Sequence, residues 1–192
     1  MTACIPVPTG YYATNAGGSE TSSAAVSYEQ AQPGYFTADS SGGSSNGVAC
    51  WHRPCLAGTY NNIVGATACS TAPSGYYTTD SAGSQTCSGA TNTTQNDRGY
   101  FAAYWYGSQT SSGACKQVLC PSGKYNSDDG NYACIFASVN YFASDDDGIA
   151  KSEGATSQAP CAGQLQSSVG MTSCYVPPTG EPTMQPTGQP TS

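Results

Sequence analysis

The chain has no long apolar run and no apolar stripe with the helical period of an amphipathic helix. A large side chain instead recurs two positions after a glycine, as in Gly10-Tyr11-Tyr12 and Gly58-Thr59-Tyr60. Aromatic residues favour β-strands, and glycine supplies the backbone freedom that a tight turn before the strand requires. The pattern therefore predicts many short strands, with helices scarce and short.

These glycines, called marker positions here, follow a 24-24-17 rhythm, and the whole set recurs with a period of 65. The third copy omits one long step, and asparagine replaces glycine at one marker, which fits because asparagine tolerates a positive φ. The markers are Gly10, Gly34, Gly58, Gly75, Gly99, Gly123, Asn140, Gly163 and Gly180. The large side chains two positions after them are Tyr12, Phe36, Tyr60, Tyr77, Phe101, Tyr125, Phe142 and, as the weakest match, Leu165.

A module as short as one of these steps is too small to bury an apolar face alone, so the modules must stack on one another. We therefore predict a small disulfide-rich β fold in which tandem short β-modules form an elongated rod. Its predicted parts are a first super-repeat at 1–68, a second at 69–133, a shortened third at 134–174, and a Pro/Thr-rich extended tail at 175–192.

The composition explains what replaces a large core. Leucine, isoleucine, valine and phenylalanine together number 19 of the 192 residues, too few for one large hydrophobic core. Disordered chains usually carry high charge, whereas only 9% of these residues are charged. Ten cysteines supply another source of stability, since a bridge closing a loop of about 15 residues contributes about 3 kcal/mol. The composition predicts an oxidised protein that is secreted or lies at the extracellular surface.

The formal net charge of −7 restricts the partners of the chain. Nucleic acids and anionic lipid surfaces both attract basic proteins, so neither is expected. No apolar run approaches the length that a membrane span requires, so we expect no span. The first residues lack the basic and apolar regions of a signal peptide, which suggests a mature piece or a fragment of a longer protein.

The cysteines follow the same period, with the pattern C-x-x-G-x-Y-x8-C at Cys55–Cys69 and Cys120–Cys134 and a related pattern at Cys161–Cys174. This pattern resembles the cysteine-rich ephrin-receptor-like repeats, which are similar in style to tumour-necrosis-factor-receptor and EGF-like modules. The resemblance covers the short modules well and the long modules poorly, because the first long module has no cysteine. It implies that the two cysteines of each short module pair with each other.

Four cysteines remain outside the short modules. Cys87–Cys115 fits within the second copy, and Cys4–Cys50 would complete the set. Cys4 also occupies the closing position of a short module, so a partner further upstream is the alternative. Sequence spacing alone does not choose between these pairings.

The end of the sequence changes character, with Pro178, Pro182, Pro186 and Pro190 each followed by threonine. Proline at this density favours an extended polyproline II segment, and its combination with serine and threonine is typical of O-glycosylated stalks; a flexible linker is the alternative. Such tails resemble those of large surface proteins of stramenopile algae, including mastigoneme-like filament proteins. The predicted glycosylation sites are Asn92, in an Asn-Thr-Thr acceptor sequence, and Thr179, Thr183, Thr187 and Thr191.

Three segments invite a metal interpretation. The Cys50–Cys55 segment contains His52, but its counterpart in the second copy has no histidine, and disulfide-bonded cysteines do not bind zinc. Asp128–Gly130 and Asp145–Gly148 carry carboxylates, but no calcium-loop spacing follows them, so solvated turns are expected. No metal or cofactor is predicted, and no catalytic motif accompanies the single histidine, so we do not expect an enzyme.

The segment Gly99–Gly107 is the most aromatic in the chain. Such a cluster either packs between modules, contacts another subunit or stacks on carbohydrate, and exposed aromatic clusters generally mark interfaces. The candidate interface aromatics are Tyr100, Phe101, Tyr104, Trp105 and Tyr106.

These features together favour a structural subunit of an extracellular, glycosylated filament or surface fibre, a homo-oligomer built from disulfide-stapled repeats. The alternative is the stalk or ectodomain fragment of a cell-surface receptor or adhesin that binds protein or glycan. Further copies of the super-repeat or a helical polymer would favour the filament, whereas a downstream membrane span would favour the receptor.

Overall fold

A computed structural model describes residues 4–177 of the chain. These residues form fourteen short β-strands and contain no helix, in agreement with the all-β prediction. Consecutive strands pair as antiparallel hairpins in seven two-stranded sheets. The strands are β1 Tyr11–Thr14, β2 Ser27–Gln30, β3 Tyr35–Ala38, β4 Trp51–Pro54, β5 Thr59–Tyr60, β6 Ser70–Thr71, β7 Tyr76–Thr79, β8 Asn92–Gln95, β9 Tyr100–Ala103, β10 Lys116–Leu119, β11 Lys124–Tyr125, β12 Ile135–Phe136, β13 Tyr141–Ser144 and β14 Ser157–Pro160.

Each hairpin belongs to one module that begins at a marker position, and we number the modules 1 to 8. Module 8 has an isolated antiparallel bridge between Gln166 and Tyr175 in place of a strand pair. Modules 3, 6 and 8 are short, and the others are long. The modules occupy residues 10–31, 34–55, 58–72, 75–96, 99–120, 123–137, 140–161 and 163–177. The last marker, Gly180, and nearly all of the predicted extended tail lie outside the described residues.

A β-turn precedes the first strand in each of modules 1 to 7 and places the marker residue at its third position. In module 3 the amide of Thr59 donates to the carbonyl of Leu56 at 2.9 Å, and Gly58 between them has a φ of 75°. A positive φ at this turn position is costly for residues with a Cβ, which explains the glycine. Asn140 adopts the same conformation with a φ of 65°.

The core of the stack consists mainly of small side chains. The last two residues of the first strand are buried in every long module, for example Ala13 and Thr14 in β1 and Ala102 and Ala103 in β9. Successive residues of a strand point to opposite faces, so burial of both means that neighbouring parts of the stack cover the strand on both sides. This arrangement has room for alanine, serine and threonine, which is why a chain poor in large aliphatic residues can form it.

Backbone hydrogen bonds join every module to the next one. An amide in or just after the first strand of one module donates to a carbonyl of the following module, at 3.0 to 3.2 Å. This bond recurs at all seven consecutive pairs of modules. The donor and acceptor residues are Ala13 and Ala49, Thr37 and Ala66, Asn61 and Ala90, Thr78 and Ala114, Ala102 and Tyr132, Asn126 and Ala155, and Ala143 and Met171.

A second set of backbone hydrogen bonds joins each module to the next but one. The amide of a glycine that we call the loop glycine donates to the carbonyl of the residue that ends the module two places earlier, at 2.7 to 2.9 Å. The pairs are Gly65 and Ala31, Gly89 and Cys55, Gly113 and Ala72, Gly130 and Asn96, Gly154 and Cys120, and Gly170 and Ala137. Within residues 4–177 no backbone hydrogen bond joins modules further apart, so the modules form a linear stack.

The loop glycines also lie directly against marker glycines. A Cβ added to Gly58 would lie 1.8 Å from the carbonyl oxygen of Gly113, and a Cβ added to Gly75 would lie 1.8 Å from that of Gly130. The six pairs of this kind give distances of 1.7 to 2.6 Å, far inside any non-bonded contact. Modules two places apart therefore approach so closely that the marker position has no space for a side chain.

Five disulfides cross-link the stack, and no cysteine is free. Cys55–Cys69, Cys120–Cys134 and Cys161–Cys174 each join the end of a long module to the following short one, with Cα atoms 5.7 Å apart. Cys87–Cys115 joins modules 4 and 5, and Cys4–Cys50 joins the segment before module 1 to module 2. The first three are the pairs that the family resemblance implies, and Cys4 takes its partner within this chain.

The stacking contact predicts different outcomes for two glycines of module 4. Gly75 and Gly83 both have a positive φ, of 78° and 83°, but a Cβ on Gly83 would meet nothing within 4 Å. Gly83→Ala should therefore cost only the conformational penalty of about 1–2 kcal/mol. Gly75→Ala adds a clash with the backbone of module 6 and should cost at least about 3 kcal/mol of the free energy of unfolding. Chemical denaturation of the oxidised variants measures both, and equal losses would contradict the stacking contact.

Candidate functional site

One exposed turn departs from the rule that the other long modules follow. In modules 1, 2, 4 and 7 the fifth residue after the marker is Asn15, Asp39, Asp80 or Asp145. Its side-chain oxygen accepts hydrogen bonds from the amides two and four positions later; for Asp80 these are Ala82 and Ser84, both at 2.9 Å. Such Asx-turns stabilise tight turns locally.

Module 5 has Tyr104 at this position, and Trp105 and Tyr106 follow it. The backbone keeps the same form, because the amide of Tyr104 donates to the carbonyl of Ser108 at 2.9 Å and the amide of Gly107 donates to the carbonyl of Tyr104 at 2.8 Å. A tyrosine side chain has no acceptor within reach of the two amides that aspartate would bind. We call residues 104–106 the aromatic turn.

The structure divides the five candidate interface aromatics into two groups. Tyr100 and Phe101 are half-buried in β9, where they pair with Leu119 and Val118 of β10. The side chains of the aromatic turn are instead exposed, with 47% of Tyr104, 59% of Trp105 and 92% of Tyr106 accessible. The second group is therefore the more accessible of the two.

Trp105 also lines an open surface depression of about 580 Å³. Gln85, Thr86 and Lys116 contribute polar groups to it, and the Cys87–Cys115 disulfide forms part of its wall. Aromatic rings beside a few polar groups are the usual composition of a binding surface. The aromatic turn and this depression together form the candidate functional site.

A second cluster of chemically active groups surrounds the single histidine, between modules 1 and 2. The ring of His52 lies 4.5 Å from that of Tyr12 and 4.8 Å from that of Tyr35, measured between centroids. Glu20 Oε1 lies 2.6 Å from His52 Nδ1 and accepts the amide of His52 at 2.7 Å. Burial, together with the hydroxyl's hydrogen bond to Glu29, raises the pKa of Tyr12 to about 12.

The second super-repeat shows what this cluster does. At the equivalent positions the amide of Gln117 donates to Gln85 Oε1 at 3.1 Å, so the same link joins modules 4 and 5 without a histidine or a carboxylate. The contact is therefore a staple between neighbouring modules. The raised pKa keeps Tyr12 neutral, and the backbone amide of His52 has Glu20 as its acceptor, so both groups are consistent with a structural role.

In the acidic loop Asp145–Gly148, two carboxylates have cationic partners within the protein. Asp145 Oδ1 accepts the amides of Asp147 and Ile149, and Lys151 Nζ lies 3.4 Å from its other oxygen. Asp146 accepts the hydroxyl of Thr156 at 2.8 Å and binds Arg98, and these hydrogen bonds lower the pKa of Asp146. Across residues 4–177 no group of three or more His, Cys, Asp or Glu side chains is placed to hold a metal ion.

The predicted glycosylation sites fall partly within the described residues. Asn92 begins β8, where its side chain is exposed and its backbone pairs with Thr79. The acceptor is thus accessible to solvent on a hairpin edge. Thr179, Thr183, Thr187 and Thr191 lie outside the described residues.

Sequence reasoning missed two features that define the stack and the site. Five of the six loop glycines follow their marker glycines at one constant offset, so Gly89 follows Gly34 just as Gly65 follows Gly10. The Asx position also recurs at a constant offset from the marker, so its replacement by tyrosine in module 5 is visible in the sequence. Aligning whole modules, and not only their markers and cysteines, would have revealed both.

Replacing Tyr104 by the aspartate that other long modules have at this position should stabilise the protein. Tyr104→Asp supplies the acceptor that the four other turns have, and should raise the free energy of unfolding by about 1 kcal/mol. Tyr104→Leu is the matched control, because it removes the ring and supplies no acceptor. Denaturant titration compares the two variants. If Tyr104→Asp were no more stable than Tyr104→Leu, the absence of the Asx hydrogen bonds at this turn would cost the protein no stability.

Comparison of the sequence with protein-family models and with curated proteins finds no match. Among residues 4–177 there is also no helix long and apolar enough to cross a membrane. The five disulfides and the all-β modules are typical of an extracellular or secreted protein.

Proposed function

We propose that the chain is a structural subunit of an extracellular filament or surface fibre built from disulfide-stapled repeats. The observation that carries this proposal is the pair of backbone hydrogen bonds by which modules bind the next one and the next but one along the stack. Both bonds use main-chain groups, so they place little demand on side chains beyond spacing and small size. A linear stack of this kind is extended by adding modules, which is how repeat proteins reach length.

The disulfides are suited to a protein that bears mechanical load. Each short-module bridge joins adjacent modules, so separating them requires breaking a covalent bond as well as hydrogen bonds. Cys55 and Cys120 also supply the carbonyls that accept the loop glycines Gly89 and Gly154. Cys55 and Cys120 therefore take part both in a disulfide and in an inter-module hydrogen bond. A tensile force along the stack would act on both kinds of contact.

The family resemblance and the glycans belong to the same proposal. We propose that the short modules are ephrin-receptor-like repeats, supported by cystine pairs with sequence separations of 14, 14 and 13 around each marker glycine. Exposed Asn92 is proposed to carry N-linked glycan. The threonines of residues 178–192, a segment whose sequence resembles the tails of mastigoneme-like filament proteins, are proposed to carry O-linked sugar.

A second candidate function is a stalk or ectodomain segment of a receptor or adhesin. The aromatic turn favours it, because three exposed aromatic residues at one tip are more than a purely structural rod requires. In this alternative the stack holds a ligand-binding tip away from a surface. It predicts a monomer that binds protein or glycan.

Electron microscopy of the full chain, combined with sedimentation velocity over a range of concentrations, tests the proposal. We expect concentration-dependent filaments of uniform width, together with an elongated monomer at the lowest concentrations. Reduced and alkylated chain is the control and should not assemble, because the stack loses its cross-links. A chain that remains monomeric at every concentration would contradict the filament and favour the receptor stalk.

A further inference from the structure

The open depression beside Trp105 lies in the second super-repeat, and the corresponding surface of the first super-repeat has a different lining. The two super-repeats correspond at an offset of 65 residues. The residues that differ are Ser40 and Trp105, Trp51 and Lys116, and Glu20 and Gln85. The second super-repeat therefore places an exposed indole and an ammonium at this surface and lacks the carboxylate.

The backbone around the depression is the same in both super-repeats. The hydroxyl of Thr86 donates to the carbonyl of Ser88 at 2.8 Å, and Thr21 makes the same contact with Ser23. The side-chain oxygens of Gln85 and Glu20 each accept a backbone amide of the next module. The three exchanges thus change the chemistry of the surface and leave the fold unchanged.

Lys116 is the one cationic side chain without an ionic or aromatic partner among residues 4–177. The chain has five lysines and arginines. The partners of the other four are Asp146 for Arg98, Asp145 for Lys151, the ring of Trp51 for Arg53 and the ring of Phe136 for Lys124. In a chain with a net charge of −7, the ammonium of Lys116 is therefore available to an anion from outside.

We propose that the depression binds an acidic saccharide, with one sugar ring packed on the indole of Trp105 and the carboxylate of a hexuronate bound to the ammonium of Lys116. This binding activity goes beyond the structural role proposed above. It requires a single chain, so it does not depend on assembly into a filament.

A sugar ring is complementary to the groups that line the depression. The face of an aromatic ring carries partial negative charge, which attracts the C–H groups on the flat side of a pyranose ring. Trp105 is 59% exposed, so its indole is accessible for such packing. Gln85 Oε1 accepts the amide of Gln117, which leaves the NH2 group of Gln85 to donate to a sugar hydroxyl.

The charge of the protein favours a hexuronate over other saccharides. A net charge of −7 repels a densely charged polymer such as a heavily sulfated glycan. A hexuronate has a single carboxylate on each ring, which matches the single ammonium of Lys116. Gln85 in place of Glu20 removes a carboxylate that would repel the ligand. A neutral sugar would leave Lys116 unpaired.

Titration calorimetry of the full oxidised chain tests this site, with tetramers of galacturonate and of glucuronate as probes at millimolar concentration. The methyl esters of the same tetramers are the neutral controls. We expect an acidic tetramer to bind about threefold more tightly than its ester at low salt, because an exposed ion pair contributes modestly to affinity. The difference should shrink at high salt, which screens the pair.

Three variants separate the two contacts. Trp105→Ser, which introduces the residue of the first super-repeat, should weaken binding of acid and ester alike by about tenfold. Lys116→Gln should weaken binding of the acid by about threefold and leave binding of the ester unchanged. Tyr106→Ser is the matched control, because Tyr106 belongs to the same turn without lining the depression, and it should leave both affinities unchanged.

Two results with these probes would overturn the proposal. One is the absence of binding by both acidic tetramers, and the other is an acid and an ester that bind equally well. Binding of sulfated cellotetraose or of a proline-rich peptide in place of the uronates would also overturn it, and would assign the depression to that partner.

Discussion

The close approach of glycine backbones in modules two places apart is the contact on which the rest of the structure depends. At this distance a carbonyl oxygen occupies the place of a Cβ, so the marker must be glycine wherever a loop glycine lies against it. The same proximity leaves room only for small side chains along the adjoining strand ends, such as Ala13, Ala103 and Thr78. Low hydrophobicity is thus a consequence of close stacking, since large aliphatic side chains would hold the modules apart.

The disulfides compensate for the small apolar area that closely stacked modules bury. Small buried side chains contribute little apolar area, at roughly 25 cal/mol per Å², so burial alone stabilises each module weakly. Cys55 and Cys120 end modules at the position that Ala31, Ala72 and Asn96 hold elsewhere, and their bridges leave the inter-module hydrogen bond intact. The bridges are therefore additions to a contact that recurs along the stack, and they occur at only some of its steps.

Much of this arrangement was predictable, and the exceptions have physical causes. The markers, the aromatic strand residues and the all-β character follow from local rules of turn and strand formation, as at Gly58 and Tyr60. The contact between Gly58 and Gly113 does not, because which modules meet depends on how each hairpin is rotated about the stack. Exposure of Trp105 was equally hidden, because aromatic composition is the same whether a ring packs inside, as Tyr77 does, or lies at the tip of a turn.

Amide hydrogen exchange measured by NMR tests the central claim most directly. The amides of the six loop glycines, from Gly65 to Gly170, should all be strongly protected, because each donates to a carbonyl two modules away. The amides of Gly42 and Gly83 are the internal comparison, since they bond only within their own exposed turns and should exchange much faster. Loop-glycine amides that exchange as fast as these would contradict the account, because modules would then be joined by disulfides without stacking.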